Sequence, residues 1–240
     1  MFCVQCGSQV EPNTTFCPNC GRPQQPGQAQ QPPGQTPPPA AGPAPYSIPA
    51  EVKAQTGKWI GEGWDLVKPD IWMFLLIGLL YAVVSGAVPI ILQGPMMAGM
   101  HFVFIRKMTQ RRLELGDLFL GFNFFVPTLV ANILISIFTT IGVILCIIPG
   151  LVIAAMYMFT YLFIIDKRLE FWPAMQASHD IVRKDYFGFT IFLVAAALLN
   201  VLGVLCCIIG VFVTLPIMYG AITAAYRDIV GFEPQTANRP

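Results

Sequence analysis

Four cysteines near the amino terminus stand in two knuckles, Cys3-Val4-Gln5-Cys6-Gly7 and Cys17-Pro18-Asn19-Cys20-Gly21. The two-residue spacing lets backbone N–H groups inside each knuckle point at the sulfurs. The glycine after the second cysteine allows the left-handed turn that closes it. Two such knuckles bring four thiolates to one tetrahedral centre, the donor set of a structural zinc ion. With all four positions taken there is no open coordination site, so the metal serves folding and not catalysis. The sizeable apolar side chains of this stretch are Phe2, Val4, Val10 and Phe16, too few to fold so short a module by burial, and one zinc ion takes the place of a core. A redox pair or disulfides would be the alternative chemistry. The duplicated knuckle and a reducing cytoplasm disfavour both.

The run Met1-Phe2-Cys3 through Cys6-Gly7, followed by Phe16-Cys17-Pro18 through Cys20-Gly21, resembles the short zinc ribbon found at the amino terminus of many prokaryotic membrane and regulatory proteins. The resemblance covers residues 1–22. It implies zinc at Cys3, Cys6, Cys17 and Cys20 and says little about function. Zinc ribbons elsewhere often bind nucleic acid, but the charged side chains of this one are Glu11 and Arg22 alone, around a formally dianionic tetrathiolate centre. The whole chain has 14 Lys+Arg against 13 Asp+Glu, a net charge of +1, so it lacks the basic excess that holds a phosphate backbone. No nucleic acid partner is expected.

Residues 23–50 are dominated by Pro, Gln, Gly and Ala, with Pro37-Pro38-Pro39 at the centre, and have too few apolar groups to offset the entropy of folding. They read as a disordered tether. At roughly 3 Å per residue where it is polyproline-like, the tether would carry the ribbon several tens of Å from its anchor, toward a protein partner.

That anchor is a membrane. The chain is 55% hydrophobic and only 11% charged, outside the balance of soluble domains. Three blocks, Ile71–Ile105, Val126–Ile165 and Tyr186–Tyr226, contain no Asp, Glu, Lys or Arg. Each is too long for a single helix crossing a hydrocarbon core of about 30 Å. Each also has turn chemistry near its middle: Gly86, Pro89 and Gly94-Pro95 in the first, Pro149-Gly150 in the second, and Gly203 to Gly210 with Pro216 in the third. The expected fold is an all-α integral membrane protein of three helical hairpins, six spans over residues 71–230, with a tail at 231–240. Every charged residue then falls on one face. Arg106, Lys107, Arg111, Arg112, Lys167, Arg168, Arg183 and Lys184 place that face, and both termini, in the cytoplasm of a bacterial inner membrane. Three long tilted helices would put the first of these basic clusters outside.

Residues 51–70 predict an amphipathic helix on the membrane surface, with Val52, Trp59, Ile60, Trp64, Leu66 and Val67 on one side and both tryptophans at the interface. Gly57, Gly61 and Gly63 weaken it in isolation, so bilayer or protein packing must order it. Asp65-Leu-Val-Lys-Pro-Asp70 aligns with Asp180-Ile-Val-Arg-Lys-Asp185, and Asp117-Leu-Phe-Leu-Gly-Phe122 is a weaker third copy; each precedes a hairpin. Gly142 to Ile148 likewise matches Gly203 to Ile209, and Pro95-Met-Met-Ala-Gly99 matches Pro216-Ile-Met-Tyr-Gly220. An interfacial helix followed by a hairpin, used three times in one orientation, predicts a pseudo-threefold bundle. Cys146 and Cys207 fall at equivalent turn ends, where pairing in an oxidising outer compartment is one reading and small apolar packing the other.

The stretch Phe171-Trp-Pro-Ala174 through Ser178 and Val182, leading into Phe187, resembles the membrane domain of several six-span bacterial families, including one fused to glycerophosphodiester phosphodiesterases. The resemblance implies architecture. The phosphodiesterase domain itself has no counterpart in this sequence, and neither His101 nor His179 belongs to an H-E-x-x-H motif, so no enzyme activity is expected. The function expected is a scaffold or interaction module at the cytoplasmic face, with a small transporter or channel as the alternative. No ionisable group lies deep in the hydrophobic blocks, and Asn132 and Asn200 read as bridges between helices.

Overall fold

Long apolar stretches with no water for their amides can close hydrogen bonds only internally, and every regular element among the described residues is helical. The computed structural model describes residues 48–109, 112–206 and 210–233, with Asn19 and Thr236. The chain divides into two units, Met1–Gly42 and Pro43–Pro240, and all of these but Asn19 belong to the second. Cys3, Cys6, Cys17 and Cys20, and the tether up to residue 47, lie outside the described residues.

The second unit contains α1 (Thr56–Val67), α2 (Ile71–Ala87), α3 (Pro89–Met108), a 3-10 helix (Leu115–Phe124), α4 (Phe125–Leu145), α5 (Ile147–Met156), α6 (Thr160–Asp166), α7 (Phe171–Val182), α8 (Tyr186–Cys206) and α9 (Val211–Ile229). The chain reverses at Val88, where Pro89 opens α3 in the first turn that tolerates its missing N–H. It reverses again at Cys146, which is exposed. Gly94-Pro95 and Pro149-Gly150, expected at turns, lie inside α3 and α5. Pairing is antiparallel: Phe74 stacks on Phe104 with ring centres 5.1 Å apart, Phe138 lies 6.2 Å from Tyr157, and Thr214 donates to Asn200 at 3.1 Å. The third turn includes residues 207–209, outside the described residues, so the proposed Cys146–Cys207 pairing falls there too.

Four helical stretches are long and apolar enough to cross a membrane: Thr56–Ala87, Leu115–Leu145, Ile147–Asp166 and Tyr186–Leu205. Of the helices outside that set, α3 and α9 are almost wholly buried from Gly94 to Ile105 and from Pro216 to Tyr226. A helix shielded by its neighbours needs less hydropathy than one facing lipid.

The three repeats close into a ring. The second helices meet at the centre, α3 against α9 and α6, with Phe163 edge-on to Tyr226 at 5.1 Å. Each first helix lies between its own partner and the second helix of another repeat: α2 between α3 and α9, α4 between α5–α6 and α3, α8 between α9 and α5. Each short helix docks on the second helix of the preceding repeat. The 3-10 helix lies on α3, α7 on α6, and α1 on α9, which closes the cycle.

Each central helix is also interrupted. Pro95 and Pro216 remove a backbone donor inside α3 and α9. At the matching level of the second repeat the helix breaks outright at Tyr157–Phe159, between α5 and α6.

Docking of α1 corrects the surface placement of Trp59. A Cβ on Gly63 would meet the Ile217 carbonyl at 2.5 Å and the Ala221 amide at 2.9 Å, so only glycine lets α1 cross α9 so closely. That approach carries Trp59 inward, where it stacks on Phe189 at 6.0 Å, meets Phe192 edge-on at 5.3 Å and is 1% exposed. Trp64, on the outer side, is 45% exposed, as an interfacial residue would be. The helix itself starts at Thr56, later than position 51.

Candidate functional site

Charge collects at the end of the bundle opposite the Val88 and Cys146 turns. Lys58 bridges from α1 to Asp228 at 2.7 Å, Arg227 reaches Glu62 at 2.7 Å, Lys107 pairs with Asp70, and Arg106 pairs with Asp117. Lys167 joins Asp166 at 3.3 Å and Glu233 at 3.1 Å, and the Glu233 amide donates to Asp166 at 3.0 Å, tying the tail to α6. Burial works to raise the Asp228 carboxyl, but hydrogen bonds from Lys58, Arg227 and the Trp59 indole outweigh it and hold the group below its ordinary range. The segment arriving from the tether is fixed at the same end. Asp185 accepts from the Ala54 amide at 3.1 Å, and Lys184 donates to the Pro49 carbonyl.

Toward the turns the bundle opens into a cavity of about 400 Å³. Its floor lies roughly halfway along the helices, at His101, Asn132, Tyr161 and Ile222; Gln93, Ser136 and Thr140 stand nearer the turn ends and are exposed. Met97, Met158 and Met218 supply apolar wall. Among the described residues no charged side chain lines it. Asn132 was expected to bridge helices, and it does; no ionisable group was expected deep in the hydrophobic blocks, yet His101 is buried at the cavity floor. Tyr161 donates to Asn132 at 3.0 Å, and the Asn132 amide donates to the Ile90 carbonyl at 3.3 Å, linking three helices. His101 Nδ1 lies 2.8 Å from Thr223 Oγ1, whose single proton goes to the Tyr219 carbonyl at 2.8 Å. Nδ1 is therefore the donor, which leaves Nε2 with its lone pair.

The polar face of α4 escaped the sequence reading, although its signal was present. Asn132, Ser136, Thr139 and Thr140 recur at helical spacing on one side of a charge-free segment, and all four line the cavity. Among the described residues no cluster of His, Cys, Asp or Glu could hold a metal. The zinc donors predicted at Cys3, Cys6, Cys17 and Cys20 are outside them.

Residues 2–24 match the zinc-ribbon domain family. The chain is also similar to uncharacterized proteins of Mycobacterium bovis and of two Mycobacterium tuberculosis strains, 29% identical over 112 residues. The match takes in 47% of this chain and 34% of each relative, so it spans about a third of the length of the relatives. No solved structure matches.

Proposed function

We propose that this chain is a six-span integral membrane protein whose tethered zinc ribbon recruits a protein partner at the cytoplasmic face, without enzyme activity of its own. The observation that carries the reading is the separation of the bundle's two ends: every ion pair described joins residues opposite the turns, and the turns carry none. Charge on one face only requires an even number of crossings. A family match over residues 2–24 supplies the ribbon, and a set of four thiolates at the two-residue spacing suits one structural zinc held by Cys3, Cys6, Cys17 and Cys20. The chain enters the bundle at Pro49 and Ala54, beside the α7–α8 junction and therefore at the charged end.

A scaffold is favoured over a channel because the half of the bundle nearest the charged end is filled. Phe102, Phe159, Phe163, Phe189 and Tyr226 are all buried there and fill the space beyond the cavity floor. Reporter fusions at Met1 and Pro240 should both give cytoplasmic signals, and opposite signals would overturn the six-span reading. A crosslinked pull-down should recover a protein partner from intact chain and lose it from a Cys17→Ser variant. Equal recovery from both would remove the ribbon as the recruiting element.

A further inference from the structure

We infer that the cavity between α3, α4, α5–α6 and α9 is a binding site for an uncharged molecule that carries a hydroxyl or amide on an apolar body. Polar groups reach the void from His101 at its floor and from Gln93, Ser136 and Thr140, which are exposed nearer the turns. His101 is 1% exposed, and its Nδ1 proton is committed to Thr223, so Nε2 is an acceptor at the cavity floor. A buried acceptor without a donor costs free energy that a ligand's proton recovers.

The wall defines the ligand. With no charged side chain among the described residues of the lining, an ion would give up its hydration without compensation, so carboxylates, phosphates and ammonium groups are excluded. A hydroxyl or amide proton can go to His101 Nε2, the ligand's own oxygen can accept from Ser136 or Thr140, and Met97, Met158 and Met218 adapt to an aliphatic body. A volume of about 400 Å³ is within the range of small-molecule pockets. The same chemistry is offered by a neutral lipid headgroup entering from the bilayer and by a free alcohol entering past Gln93 and Thr140 from the turn end.

The test is photolabelling of the full-length protein in nanodiscs with three diazirine probes: an aliphatic alcohol, the matching alkylammonium, and a diacylglycerol. Labelled positions are mapped by peptide mass spectrometry. The alcohol should label cavity residues such as Met97, Tyr157 or Met218, and the alkylammonium should not. The double variant Ser136→Ala/Thr140→Val, which removes two exposed hydroxyls of the lining, should weaken alcohol labelling roughly three- to tenfold while leaving the fold intact. Ala154→Phe, which fills the wall, should abolish it. Labelling by diacylglycerol as well assigns the bilayer as the source, and labelling by the alcohol alone assigns the free solute. Labels confined to the lipid-facing residues of α2, α4 and α8, labelling unchanged in both variants, or equal labelling by the ammonium would each overturn the site.

Discussion

The hydroxyl of Ser178 on α7 donates to the Met156 carbonyl at 2.7 Å and so closes the end of α5 from another element of the chain. The same oxygen accepts from the Phe159 amide at 3.1 Å, so one side chain satisfies both backbone groups released where α5 gives way to α6. Ser178→Ala leaves two buried backbone groups unpaired and should destabilise the protein by about 1–3 kcal/mol. Thermal unfolding in detergent checks it, and an unchanged midpoint would mean that the break is satisfied elsewhere.

The glycines of α1 predict opposite effects within one helix. Gly63 meets backbone atoms of α9, so Gly63→Ala should push α1 away and cost about 1–3 kcal/mol. Gly57 and Gly61 have nothing within 4 Å of an added Cβ. Gly57→Ala and Gly61→Ala should each stabilise by up to about 1 kcal/mol through helix propensity. Protease protection of the 48–67 segment would show the split, and equal effects at all three positions would contradict the close crossing.

The sequence repeat carried more of this than its composition did. Aligning Asp65 with Asp180 places Gly63 opposite Ser178, and both prove to be the small residues through which a short helix touches a central one. Hairpin pairing was legible because charge-free blocks must turn. The turn positions were less so, since proline opens or bends a helix as readily as it ends one, and Pro95 and Pro149 do the former. Trp59 was misplaced because amphipathicity shows which face is apolar and not whether lipid or protein covers it. The cavity was hidden for a related reason: Asn132 and His101 make the bonds expected of packing residues while also bordering open space.

Purified full-length protein should hold one zinc per chain, and Cys17→Ser should lose it. Three thiolates leave the fourth position to water and sharply lower affinity, while the bundle, whose core lies within residues 43–240, has its own hydrophobic interior. Metal analysis of protein prepared without chelator, with thermal unfolding of the bundle measured alongside, checks both parts. A bundle that melts when zinc is removed would show that the two units are not independent.

Acid should loosen α1 before it unfolds the rest. Asp228 bonds Lys58 at 2.7 Å and the Trp59 indole at 3.1 Å, and its carboxyl is held below the ordinary value of 3.8. A carboxylate depressed in the folded state contributes stability that is fully present above its unfolded pKa and lost as pH falls through the folded one. The window therefore lies at and below about pH 4, where protonation removes the acceptor from Lys58, Arg227 and Trp59 together. Because these side chains are partly solvated, the effect is a graded release of α1 and not a collapse. Tryptophan fluorescence followed from pH 6 downward should report Trp59 leaving its packing against Phe189 and Phe192 in that window. Asp228→Asn should lower stability at neutral pH and flatten the acid response, and a variant that keeps the full response would place the sensitive carboxylate elsewhere.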